Sequence, residues 1–165
     1  MAPRVLIRAG DRAALPEQSF SHPLNPNSEI HGHSVGELAG LKKIGVHIAR
    51  IPPGKESFVR HVHYVEEEFV YILSGSGIAE IDGEEHEVGP GDFLGYVPGT
   101  VSHHLRNPFD EDLVYLSAGE RSAVEVADFP TLGKRMVRVG TQVSVYPMDH
   151  EESLAALPRV RPSRE

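Results

Sequence analysis

The segment HVHYVEEE, residues 61–68, decides the fold, together with the more distant His103. His61 and His63 lie two residues apart in an apolar context, and alternate residues of a β-strand project from the same face. Imidazole nitrogens combined with one carboxylate oxygen are ligands that iron, manganese, nickel and zinc all accept. The segment therefore predicts a metal site on β-strands, with His61, His63, Glu68 and His103 as ligands.

Length, composition and charge set the class of protein. The chain has 165 residues, of which 39% are hydrophobic, and this suits one domain with a substantial core. The net charge is -8 and the longest basic run is Lys42-Lys43, so we expect no nucleic-acid partner. Cysteine is absent, which excludes thiolate metal ligands and disulfides. No stretch resembles a signal peptide or a membrane span, and we expect a cytoplasmic protein with no membrane partner.

Short apolar stretches separated by Gly, Pro and Asp follow one another from Ile44 onward. Asp82-Gly83 lies between two such stretches and is a strong signal for a β-hairpin. Closely spaced short strands with turn residues between them indicate a β-sandwich or a small barrel. Strands are predicted at residues 44–51, 57–63, 68–73, 78–81, 84–88, 93–97, 101–106, 113–118 and 135–139, and a helix at Glu151 to Leu157.

Three regions are predicted along the chain. Residues 1–43 form an N-terminal arm that is mostly irregular, and residues 44–118 form the barrel core. Residues 119–165 form a C-terminal extension that packs on the barrel or on a dimer partner. Open sheet edges need cover, and arms of this kind often supply it between two copies. We therefore expect a homodimer.

The ligands are expected to converge through two hairpins. The four residues Tyr64 to Glu67 can reverse the chain, which would place Glu68 opposite the histidines, where cross-strand neighbours lie about 5 Å apart. His103 must come from a different hairpin. A barrel permits this because inward side chains of several strands meet near its axis.

A first motif carries a resemblance to the cupin superfamily. Its form is G-x5-H-x-H-x3-4-E-x6-G, with the two histidines and the glutamate as metal ligands. The chain matches it, with six residues in place of five after the first glycine, at Gly54, His61, His63, Glu68 and Gly75.

A second cupin motif has the form G-x5-P-x-G-x2-H-x3-N. Gly91, Pro98, His103 and Asn107 match it. Six residues separate Gly91 from Pro98, and a glycine occupies position 99 rather than position 100. Neither departure moves the histidine relative to Pro98 or Asn107. Two matching motifs make the resemblance specific for a fold and a metal site.

The resemblance covers roughly residues 44–118 and extends to small single-domain bacterial cupins. It implies an all-β double-stranded β-helix, the cupin or jelly-roll barrel, here with N- and C-terminal arms. Cupins are often dimeric and bind iron, manganese, nickel or zinc at these positions. The implied cofactor is therefore one divalent transition metal, and the sequence does not choose among the four.

Neighbouring residues compete for two of the ligand positions. His104 competes with His103, and only one can point inward because adjacent strand residues face opposite ways. Spacing within the second motif favours His103. Glu67 competes with Glu68, and spacing within the first motif favours Glu68.

Other residues have weaker signals. His31-Gly32-His33 is predicted to lie in a flexible loop, because no strand pattern surrounds it and Gly32 would weaken a strand. His47 lies within the predicted strand 44–51, where it either lines the cavity or is a satisfied, partly buried side chain. Tyr96 is a candidate catalytic residue because its strand runs toward the metal end, with simple packing as the alternative.

The predicted function is that of a mononuclear metal-binding cupin that acts on a small oxygen-bearing organic molecule. Three histidines and one glutamate leave one or two coordination positions free, and a metal with open positions can do chemistry. Dioxygenase, isomerase and lyase reactions all suit such a centre. Glu68 is a second candidate catalytic residue if it leaves the metal to act as a base. The alternative is a non-catalytic cupin that binds or senses a small molecule.

Overall fold

A computed structural model describes residues 4–150, which form an antiparallel β-structure with a few short helices. The predicted helix Glu151 to Leu157 and the rest of the C-terminal extension beyond residue 150 lie outside the described residues. Among the helices of residues 4–150, none is long and apolar enough to cross a membrane. The elements are α1 (Ala9–Ala13), β1 (Gln18–Phe20), β2 (Ile30–His33), α2 (Val35–Ala39), β3 (Ile44–Ile51), β4 (Val62–His63), β5 (Glu68–Ser74), β6 (Gly77–Ile81), β7 (Glu84–Val88), β8 (Phe93–Tyr96), β9 (His103–Arg106), β10 (Leu113–Glu120), β11 (Val124–Phe129), β12 (Lys134–Val139) and β13 (Gln142–Pro147), with 3-10 helices at Pro130–Leu132 and Met148–His150.

The strands form two layers. One layer is a six-stranded sheet in the order β1-β2-β3-β10-β5-β8. The other consists of the sheets β7-β6-β9 and β13-β12-β11-β4. An isolated antiparallel bridge between His61 and His103 connects these two smaller sheets, because His61 directly precedes β4 and His103 begins β9.

A hydrophobic core fills the space between the layers. Ile51, Ile72 and Leu113 of the six-stranded sheet are fully buried and pack with Ala79 and Leu105 of the opposite layer. Alternate residues of a strand face opposite sides, so the central strands β3, β5 and β10 each contribute an apolar row to this core. The predicted all-β architecture of a sandwich or small barrel is confirmed.

Most predicted strands agree with the structure to within two residues at each end. The strand predicted at residues 57–63 is wrong over most of its length. Only Val62–His63 forms a strand there. The Ser57 hydroxyl accepts a hydrogen bond from the Leu105 N–H at 2.9 Å, in the place of a backbone carbonyl. A side-chain acceptor of this kind competes with the regular ladder and interrupts it.

The predicted hairpin between the histidines and Glu68 is also wrong. β4 pairs with β11, whereas β5 lies between β10 and β8 in the other layer. The carboxylate of Glu125 accepts hydrogen bonds from the backbone N–H groups of Tyr64, Val65 and Glu66 at 2.8–3.3 Å. These bonds hold the connecting segment as a crossover between the layers, so Glu68 approaches the histidines across the barrel.

The prediction that His31-Gly32-His33 lies in a loop is wrong as well. These residues belong to β2, which pairs with β3 and β1. A Cβ at residue 32 would lie 2.7 Å from the Cα of Ala49, so only glycine allows β2 to approach β3 this closely. His33 is buried, and its Nε2–H donates to the Leu15 carbonyl at 3.1 Å.

Asn107 provides a test of the packing at the end of β9. Its buried side chain donates to the carbonyls of Ile51 (2.8 Å) and Glu111 (2.7 Å) and accepts from the Phe109 N–H (3.1 Å). Asn107→Ala leaves these groups without partners, and we expect a loss of about 2–4 kcal/mol in the free energy of unfolding, measured with urea. Asn27→Ala, which removes bonds at a half-exposed site, should cost less than about 1 kcal/mol. Equal losses in the two variants would contradict this account.

Candidate metal centre

The four predicted ligands come together although they belong to different elements. His61 and His63 lie at β4, Glu68 begins β5, and His103 begins β9. One ligand atom from each residue lies within 4.8 Å of the ligand atoms of the other three. The cluster could hold a metal ion.

Backbone pairing fixes two of these side chains relative to each other. The His61 N–H donates to the His103 carbonyl at 3.1 Å, and the His103 N–H donates to the His61 carbonyl at 2.8 Å. Two residues that exchange both hydrogen bonds are direct cross-strand neighbours with side chains on the same face. The two imidazole centroids accordingly lie 4.5 Å apart.

A hydrogen bond to the backbone orients the His61 ring so that its Nε2 faces the cluster. His61 Nδ1 lies 2.8 Å from the Val59 carbonyl oxygen, which can only accept, so Nδ1 carries the proton. The lone pair of His61 is then on Nε2, which lies 3.1 Å from His63 Nε2. His63 Nε2 in turn lies 3.2 Å from Glu68 Oε2.

His103 provides the observation that tests whether a metal fits. Its Nε2 is buried, lies 3.7 Å from Glu68 Oε2, and makes no hydrogen bond within residues 4–150. A buried polar atom without a partner is unfavourable, and a cation between this nitrogen and the neighbouring ligand atoms would satisfy it. Three imidazole nitrogens and one carboxylate oxygen suit a borderline divalent metal. The residues present therefore fit such an ion.

At His61 and Glu68 the electrostatics of the cluster favour the protonation states that bind metals. Burial, together with the nearby His103 and His63, lowers the pKa of His61 to about 3. Burial on its own would raise the pKa of Glu68, but the surrounding histidines outweigh it and hold that pKa well below its ordinary value. A neutral imidazole and an ionised carboxylate are the states that coordinate a metal.

The two competing residues lie elsewhere. His104 is on the opposite face of β9, with Nε2 3.8 Å from Glu56 and Nδ1 3.4 Å from Glu80. Glu67 is exposed, and its backbone N–H donates to the Glu120 carboxylate at 3.1 Å. Neither side chain belongs to the cluster of ligand atoms within residues 4–150.

Tyr96 stacks on a ligand histidine. Its ring lies parallel to that of His103, with centroids 3.5 Å apart and an interplanar angle of 5°. Burial and the charge of Glu68 raise the pKa of the Tyr96 hydroxyl, so this group keeps its proton near neutral pH. Tyr96 therefore fixes the plane of the His103 ring, and its neutral hydroxyl is a weaker acid than that of a free tyrosine.

Glu125 is a residue that the sequence interpretation missed. It is almost completely buried in β11, and its Oε1 lies 3.8 Å from Nδ1 of His63, on the side of that ring away from Glu68. Since Glu125 also holds the segment after His63, it supports the position of this ligand, and its carboxylate faces Nδ1 of the ring. A signal was present, because an acidic residue alternates with apolar ones in Val124-Glu125-Val126.

A cavity of about 350 Å³ opens beside the cluster. Phe58 lines this cavity, whereas Phe69 stacks on Phe93 on the outer face of β5 and β8. The remaining wall includes residues from β3, from the end of β10 and from the C-terminal extension. Its principal side chains are His22, His47, Phe58, His61, His63, Glu66, Glu67, Glu68, Glu120, Arg121, Phe129 and Met136.

Comparison with known proteins agrees with this architecture. A family model described as "Cupin domain" matches residues 47–119. An uncharacterized protein of Methanocaldococcus jannaschii is 39% identical over 59 residues, which is 36% of this chain and 46% of that protein. The chain thus matches less than half the length of this curated relative.

Two solved structures resemble nearly the whole chain. A "Putative sugar phosphate isomerase" from Acidithiobacillus ferrooxidans is 33% identical with a TM-score of 0.89, covering 91% of this chain and 96% of its own. A sugar phosphate isomerase of the cupin superfamily from Silicibacter pomeroyi is 25% identical with a TM-score of 0.74, covering 85% and 90%. The fold is the double-stranded β-helix, and the chain belongs to the cupin superfamily.

Proposed function

We propose that this protein binds one divalent transition metal through His61, His63, Glu68 and His103, and that it acts there on a small oxygen-bearing organic molecule. The observation that carries the proposal is the convergence of one ligand atom from each of three histidines and Glu68 to within 4.8 Å of one another, while the buried His103 Nε2 makes no hydrogen bond within residues 4–150. Iron, manganese, nickel and zinc all suit this donor set.

Isomerisation of a sugar phosphate or a similar hydroxy-carbonyl compound is the reaction we propose. The support is the structural similarity over almost the whole chain to the Acidithiobacillus and Silicibacter proteins, both of which are named as sugar phosphate isomerases. When bound, a divalent metal supplies a Lewis acid that polarises a carbonyl oxygen. A cavity of about 350 Å³ is large enough for a small metabolite.

The chain's own residues would prepare this reaction in distinct ways. Phe58, Phe129 and Met136 form an apolar wall that keeps water away from a bound molecule. Tyr96 holds the His103 ring by stacking, and the raised pKa of its hydroxyl suits this positioning role better than proton donation. Glu68 is better suited as a ligand than as a base, since a carboxylate with a strongly lowered pKa accepts protons poorly.

A cytoplasmic homodimer is also part of the proposal. Tyr71, Leu73 and Phe93 are exposed on the outer face of the six-stranded sheet, and neighbouring apolar side chains of this kind often mark a protein–protein contact. A solution mass of a single protomer, measured by light scattering, would contradict it.

Removal of single ligands tests the metal site. His61→Ala and His103→Ala should each weaken metal binding at least about tenfold, measured by elemental analysis of protein purified without an affinity tag. Both variants should stay folded by circular dichroism, because the core consists of apolar strand residues. His104→Ala removes the adjacent histidine on the opposite face and should retain the metal. Equal metal content in all three variants would refute the assignment.

Acidification should release the metal through His63. Burial by itself would lower the pKa of His63, but the hydrogen bond to Glu68 and the charges of Glu68 and Glu125 raise it above its ordinary value. A proton therefore competes with the metal at His63 first, whereas His61 stays neutral down to about pH 3. Below the pKa of His63, metal affinity should fall about tenfold per pH unit, measured by chelator competition. Affinity that does not change between neutral pH and about pH 5 would contradict the role of His63.

The reaction can be followed by exchange with solvent. We expect the metal-loaded protein in D₂O to interconvert an aldose phosphate with its ketose and to incorporate deuterium beside the carbonyl, as seen by NMR. His61→Ala should lose this activity and His104→Ala should keep it. Oxygen uptake with catechols, β-diketones or keto acids, without isomerisation, would instead assign a dioxygenase. Cleavage of a carbon–carbon bond would assign a lyase, and binding without product would assign a sensing protein.

A further inference from the structure

One row of residues crosses the six-stranded sheet beneath the cavity. Gly45 of β3 pairs with Gly119 of β10, Gly119 pairs with Glu68 of β5, and Glu68 pairs with Tyr96 of β8. Paired residues share a face of the sheet, so the two glycines place no side chain of their own on the face that carries Glu68. With strands about 4.8 Å apart, Gly45 lies roughly 10 Å from Glu68.

Two side chains that can donate hydrogen bonds, Arg121 and His47, lie together at the glycine end of this row. A Cβ at residue 45 would lie 3.1 Å from Arg121 Nε and 3.4 Å from His47 Nε2, so both groups lie over the bare backbone of Gly45. Both side chains line the same cavity as the ligands His61, His63 and Glu68. The backbone N–H of Arg121 donates to the Lys43 carbonyl at 2.9 Å, and this bond fixes the position of the Arg121 backbone beside the cavity.

The existing partner of Arg121 leaves it able to bind an anion. Its Nη2 lies 3.1 Å from Glu37 of α2, whose side chain is 55% exposed. Exposed ion pairs contribute little to stability, and a guanidinium offers further donors to a second acceptor. Burial lowers the pKa of His47, so its imidazole is neutral and can donate one N–H.

Other charges at the cavity make binding there selective. Glu66 is paired with Arg138 at 2.6 Å, while the exposed Glu67 and Glu120 lie at the mouth. The chain carries a net charge of -8, so its overall field does not attract anions. An anion that binds must therefore make direct contacts inside the cavity.

We infer that Arg121 and His47 form an anion subsite, which holds a phosphate or carboxylate group at one end of the substrate while the other end reaches the metal ligands. The inference rests on the proposed function, because it takes the metal cluster as the place of reaction. It narrows the substrate class to small hydroxy-carbonyl compounds that carry an anionic group remote from the reacting carbon.

Titration of the full-length protein with inorganic phosphate, followed by calorimetry, tests the subsite without requiring turnover. Arg121→Gln should raise the phosphate Kd about tenfold or more. Glu37→Gln, which removes the competing carboxylate, should lower that Kd about threefold. Arg50→Gln is the matched control, because it removes the same charge from a residue paired with Glu17 and Asp112 away from the cavity, and it should leave the Kd unchanged.

The same titration on chelator-treated protein separates this inference from the metal proposal. Phosphate binding that depends on Arg121 should persist after metal removal and in His61→Ala, even if no isomerase activity is ever found. A parallel titration with malonate distinguishes the two anions, and the tighter probe identifies the group carried by the substrate. An unchanged Kd in Arg121→Gln, or an equal loss in Arg50→Gln, would overturn the subsite.

Discussion

Two backbone hydrogen bonds between His61 and His103 connect the smaller sheets and determine the geometry of the site. Because these residues exchange both bonds, their imidazoles must leave the same face side by side, and no rotation of either strand can separate them. Residues 52–61 form no regular strand in the structure, so this isolated pair takes the place of a longer ladder of backbone hydrogen bonds. Tyr96 then stacks on His103, and the Val59 carbonyl sets the tautomer of His61.

The opposite layer supplies the remaining parts of the site through a single row of paired residues. Glu68 and Tyr96 stand at one end of that row, and the glycines 45 and 119 leave the other end open. The same sheet therefore provides a ligand, its neighbouring ring and the floor of a cavity. Arg121 and His47 border the open end, so the cavity has a candidate metal at one side and fixed hydrogen-bond donors at the other.

Local patterns in the sequence predicted what depends on local structure. The alternation of apolar and polar residues, with the turn residues between strands, predicted β3 and β7 with their observed bounds. The spacing of the motifs selected four residues that the structure brings together. The path of the chain around Glu68 was not predictable in this way. It depends on Glu125, which bonds three amides far away in the sequence, and no local pattern specifies such a contact.

X-ray absorption spectroscopy of the bound metal tests the central claim most directly, because it reports the atoms that surround the ion. For protein loaded with one equivalent of metal, the account predicts scattering from about three imidazoles and one carboxylate oxygen, and loss of one imidazole in His103→Ala. A spectrum with only water and carboxylate oxygens, or one that His103→Ala leaves unchanged, would contradict it.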